Sequence, residues 1–92
     1  MQTCQLSIAN TLGLHARAAA KFVHQAGAFK AHIRVARGDR EVDGKSIMGL
    51  LLLAAARGTV IRISADGSDE QDAVAALASL VQTGFGEDTC SV

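Results

Sequence analysis

The chain has 92 residues, nine basic and nine acidic side chains and a formal net charge of zero. That length supports one modest core, and a neutral balance argues against a nucleic-acid binder, whose affinity rests on phosphate contacts. Hydrophobic residues make up 49%, but many are alanine and only Phe22, Phe29 and Phe85 are aromatic, so the core must come mostly from Leu, Ile, Val and Ala.

Cys4, Leu6 and Ile8 alternate with Gln5, Ser7 and Ala9, the period of a strand with one buried face. A loop containing Gly13 follows. From Ala16 to Ala26, Ala16, Ala19, Ala20, Val23 and Ala26 recur at helical spacing, and Gly27 stands at the cap position. The first helix therefore begins at or just after His15. Ile33 and Val35 alternate with His32, Arg34 and Ala36 as a second strand, and Arg37 to Arg40 supply a turn. Glu41 to Asp43 return as a short third strand.

Ser46 opens an apolar run, Ile47, Met48, Leu50, Leu51, Leu52, Leu53 and Ala54, whose Leu and Ala content favours a helix ending at Arg57-Gly58. Ile61, Ile63 and Ala65 mark a fourth, central strand. Ser68 and Gln71 have the spacing of a capping box for a last helix with Val74, Leu77, Ala78 and Val81 on one face, ended by Gly84. The tail Phe85 to Val92 is small, polar and acidic and is expected to fray, with a single domain over 1–88 and a frayed tail over 89–92. The order βαββαβα alternates too irregularly for a doubly wound sheet. It fits an α+β fold, a four-stranded antiparallel sheet with three helices on one face.

The N-terminus shows no basic leader segment, and the longest apolar stretch, Gly49 to Ala56, is far short of a membrane span. A cytoplasmic chain without membrane insertion is expected. Cys4 and Cys90 are read as reduced thiols, although a disulfide is open on paper.

His15 stands between a glycine-containing loop and the first turn of a helix. The backbone N–H groups of Ala16, Arg17 and Ala18 lack intrahelical partners there and, with the helix dipole, form an anion site. The Arg17 guanidinium adds a planar donor fork suited to phosphate. A phosphoryl group on the imidazole would be born beside several donors and a positive charge. A neutral imidazole is a competent nucleophile.

The segment Asn10-Thr11-Leu12-Gly13-Leu14-His15-Ala16-Arg17-Ala18-Ala19-Ala20 resembles the active-site segment of HPr, the histidine-containing phosphocarrier family of the phosphoenolpyruvate-dependent phosphotransferase system. Val42 to Leu50 resembles that family's regulatory-serine region, and Asp66 to Leu80 its last strand-to-helix turn and final helix. The likeness spans nearly the whole chain and leans toward proteobacterial members. It implies an open-faced β-sandwich and a monomer without a cofactor. It also implies a carrier rather than an enzyme, with phosphorylation of His15 by enzyme I, transfer to an enzyme IIA domain and Arg17 as the accompanying cation. Ala18 departs from the pattern, since the family commonly has proline there and this chain has none. Alanine restores one N–H at the first turn and loosens it slightly.

Ser46 suits the N-cap of the second helix, and the resemblance adds a regulatory phosphorylation site, with an HPr kinase/phosphorylase as the partner. One short helix cannot bury its whole apolar run. Ile47 and Met48 are expected to be exposed for docking to enzyme I and enzyme IIA, and Leu51 is counted with them. Leu50, Leu51 and Ala54 also suit the core. Gly44-Lys45-Ser46 ends like a P-loop, but Asp39 stands where its first glycine belongs. His15, His24, His32 and the cysteines lack metal-ligand spacing, and His24 and His32 are read as surface residues. The alternative reading is a regulatory phosphoprotein of the nitrogen-type branch, or a Ser46-controlled interaction module, uncoupled from sugar uptake.

Overall fold

The computed structural model describes residues 1–86. Its elements are β1 (Gln2–Ser7), α1 (Ala16–Ala26), β2 (His32–Arg37), β3 (Arg40–Asp43), α2 (Ile47–Leu52), β4 (Val60–Asp66) and α3 (Glu70–Gln82). The four strands pair antiparallel in the order β1-β4-β2-β3, which places β4 centrally, as the run of Ile61, Ile63 and Ala65 requires.

Register explains the single core. Leu6 faces Ile61, Cys4 faces Ile63, Val35 faces Ile63 and Ile33 faces Ala65, so the alternating apolar residues of three strands share one side of the sheet. Against that side pack Ala18, Ala19, Phe22 and Ala26 of α1, Leu50 of α2, and Ala73, Leu77 and Val81 of α3. The other side carries Thr3, Arg34, Arg62 and Ser64 and lies open.

Four expectations need correction. The buried stripe of α1 includes Ala18 and Phe22, whereas Ala16 and Ala20 are exposed. Phe22, the largest apolar side chain on the helix, sets the rotation that the near-uniform alanines cannot. Next, α2 ends at Leu52 rather than near Arg57, and Ala54, expected in the core, is exposed with φ +51. The Ser68 capping box does not form either. Asp69 is the N-cap and makes no side-chain cap bond. Its carboxylate is drawn across the molecule instead, accepting the Lys30 and Ala31 N–H groups, each at 2.8 Å. Finally, Phe85 does not fray. It is 1% exposed, forms part of the core and sits at φ +58 in a short turn, Gly84–Gly86. Cys90 and the 89–92 tail lie outside the described residues.

Candidate functional site

His15 is the N-cap of α1, in extended backbone, and is half-buried. Its Nδ1 accepts the Arg17 N–H at 3.2 Å, while its carbonyl accepts the Ala19 N–H at 2.8 Å as the first helical bond. The lone pair on Nδ1 therefore points into the helix N-terminus, where the amides of Ala16, Arg17 and Ala18 precede that first bond. The ring is held in register by this cap, made through Nδ1.

The loop ahead of His15 is fixed from two directions. Asn10 is fully buried, its Nδ2 donating to the Gly13 carbonyl at 2.8 Å. Leu14 N–H donates to the Ala55 carbonyl at 2.8 Å. Gly13 has φ +69, and a Cβ there would lie 2.5 Å from the Ala55 carbonyl oxygen, so glycine is required on both conformational and steric grounds. Sequence reasoning gave Asn10 and Gly13 no separate role. The signal for them was present as an Asn three residues before a Gly, a spacing suited to a side-chain-closed turn.

The Arg17 side chain is exposed and makes no ion pair with another described residue. With Ala20, Lys21, His24, Gln25 and Leu80 it lines an open groove of about 520 Å³ along α1 that is basic in character. Ser46 caps α2, its Oγ accepting the Gly49 N–H at 3.1 Å. Ile47 and Met48 are exposed, at 40% and 69%, as the surplus of the apolar run demands. Leu51 is half-buried against the core, and its neighbour Leu52 takes the exposed place at 61%. Leu12, three residues before His15, is a further exposed apolar residue missed by pattern reading. Nothing in a loop leucine or a run of four leucines signals which one faces water.

Another depression, of about 690 Å³, lies on the open side of the sheet, lined among others by His32, Arg34, Glu41, Arg62 and Asp66. Within it Arg34 pairs with Glu41 at 3.3 Å. His24 and His32 are exposed, and no group of three or more potential metal ligands exists among the described residues. No helix among them is long and apolar enough to cross a membrane.

Comparison with known proteins gives a consistent answer. A family model described as "PTS HPr component phosphorylation site" matches residues 2–83. A phosphocarrier protein HPr of Neisseria meningitidis is 52% identical over 82 residues, 89% of this chain and 92% of that protein. One from Xylella fastidiosa is 49% identical over 85 residues, 92% of this chain and 96% of that one. Among solved structures, HPr-C-His from Thermoanaerobacter tengcongensis superposes with a TM-score of 0.91 at 42% identity, covering 95% of this chain and 98% of that chain.

Proposed function

The chain belongs to the HPr phosphocarrier family of the phosphotransferase system, and we propose that within it His15 accepts a phosphoryl group from enzyme I and delivers it to an enzyme IIA domain. The observation that carries this reading is the Arg17 N–H donated to His15 Nδ1 at the start of α1. That hydrogen bond favours the neutral tautomer with its lone pair on Nδ1 and its proton on Nε2. Nδ1 attacks phosphorus as the bond to the donor breaks. The incoming oxygens then take over the Arg17 amide and meet its neighbours Ala16 and Ala18, donors that favour the dianion more than the bare imidazole. The Arg17 side chain, on the same exposed turn, adds a cation. Because these donors lie at the surface, the phosphoryl group remains open to a second protein.

Docking falls to the exposed apolar residues. Ile47, Met48 and Leu52 on α2, with Leu12 on the loop, form an exposed apolar set, and the groove of Arg17, Lys21 and His24 adds positive charge for an acidic partner. Leu51, half-buried, packs against the core. Ser46 is the second modification site. A phosphate on its Oγ would remain at the N-terminus of α2 and place about two negative charges among these docking residues, which is how a kinase/phosphorylase acting there would weaken exchange with enzyme I.

The test is nitrogen and phosphorus NMR on protein phosphorylated with enzyme I and phosphoenolpyruvate. Phosphorylation at His15 Nδ1, with the Ala16, Arg17 and Ala18 amide resonances moving together, is expected. A phosphoryl group on Nε2, or unmoved amides, contradicts this geometry.

A further inference from the structure

We propose that Arg37 and Arg40, at the two ends of the β2–β3 turn, are positioning residues for phosphoryl transfer. They hold the exit of α2 in a strained turn that supports the His15 loop. The proposal rests on His15 being the phosphoryl acceptor.

A helix of six residues ends with carbonyls that its own turns cannot satisfy. Leu53 N–H and Ala54 N–H reach the carbonyls of Leu50 and Leu51. The next three carbonyls are met from the hairpin. Arg40 Nη1 donates to Leu52 O at 2.7 Å, and Arg37 Nη1 donates to Leu53 O at 2.7 Å and to Ala54 O at 3.2 Å. Both cations stand at the negative end of the helix dipole.

What they hold is an unfavourable backbone. Ala54 has φ +51, a left-handed conformation that any side chain with a Cβ disfavours. Such a conformation persists only where its surroundings over-determine it. The turn at Ala54 redirects the chain so that the Ala55 carbonyl receives the Leu14 N–H and the Ala55–Ala56 backbone lies against Gly13. Clamp, turn and loop thus form one line of contacts that ends a single residue before His15.

The experiment follows phosphorylation by enzyme I and amide hydrogen exchange in Arg37→Ala, Arg40→Ala, Arg37→Lys and the double variant Arg37→Ala/Ala54→Gly. Arg37→Ala, which loses both of these hydrogen bonds, should speed exchange at the Leu14 amide and lower kcat/KM about tenfold or more, at least the low end for a single bond from a charged donor. Glycine adopts φ +51 without penalty, so the double variant should recover both properties, and urea unfolding of each variant separates this from a general change in stability. Arg37→Lys, with one donor kept, should fall between. If Arg37→Ala does not fold, Arg40→Ala carries the same readouts. Unchanged Leu14 exchange in the folded variant, or a transfer defect that Ala54→Gly leaves in place, overturns the proposal. If the unaltered protein takes no phosphoryl group from enzyme I, the carrier reading fails, and Leu14 exchange alone decides the clamp.

Discussion

Truncating Phe85 to alanine tests the least expected part of the core. The ring is 1% exposed and belongs to the same cluster as Phe22, Leu77 and Val81. Removing a fully buried phenyl group costs about 3–5 kcal/mol, the loss of transfer energy plus the cavity left behind. Two features decide how much of that is felt. The φ of +58 is unfavourable for alanine as for phenylalanine, so the substitution relieves no strain. The Lys21 ammonium donates to the Phe85 carbonyl at 2.7 Å, a bond that survives truncation and keeps the turn from collapsing into the cavity. A chain of 92 residues has a total stability of about 5–14 kcal/mol, so this one ring carries a large share. Urea unfolding should show a loss of about 3 kcal/mol or more, and a melting temperature at least about 12 °C lower. Phe85→Leu, which keeps most of the volume, should lose less than about 1.5 kcal/mol. An Phe85→Ala variant within 1 kcal/mol of the unaltered protein would refute a core that includes this ring.

Acid stability should depend on Asp69, whose carboxyl the Lys30 amide, and secondarily the Ala31 amide, hold below the ordinary carboxylate range. A group lowered on folding stabilises above its unfolded pKa and loses that contribution as pH falls through its folded value. Urea midpoints should therefore fall below about pH 4, and Asp69→Asn should flatten that slope; an unchanged slope contradicts the assignment. Gly13→Ala should both destabilise the fold and slow phosphorylation, because its Cβ would meet the Ala55 carbonyl at 2.5 Å; rapid phosphorylation of a stable Gly13→Ala protein would count against the loop geometry. Ser46→Asp should weaken exchange with enzyme I at nearly unchanged stability, and unaltered exchange kinetics would leave Ser46 a helix cap alone.

The strands were legible because their side-chain period is strict and each buries one side: Cys4, Leu6, Ile33, Val35, Ile61 and Ile63 all fall where alternation puts them. The place of His15 at the start of α1 was legible because a glycine loop and a helix start are both local signals. Failures came where the deciding contact is distant in sequence. Asp69 serves amides 38 and 39 residues away rather than its own helix, so a local capping motif misread it. The end of α2 lies at Leu52, where arginines from the preceding hairpin meet its carbonyls, and not at Arg57-Gly58. Phe85 sits among small polar neighbours that give no hint of the cavity it fills. In α1 and α2, near-uniform alanine and leucine carry no period, so which of Ala18 or Ala20, Leu51 or Leu52, turns inward is fixed only by packing.

The central claim is that His15 alone carries the transferred phosphoryl group. Intact mass after incubation with active enzyme I and phosphoenolpyruvate, read before and after mild acid, tests it most directly. A gain of one phosphoryl group that is lost in acid and absent in His15→Ala is the predicted result. No gain in the unaltered protein, or an acid-labile gain that survives His15→Ala, would contradict it.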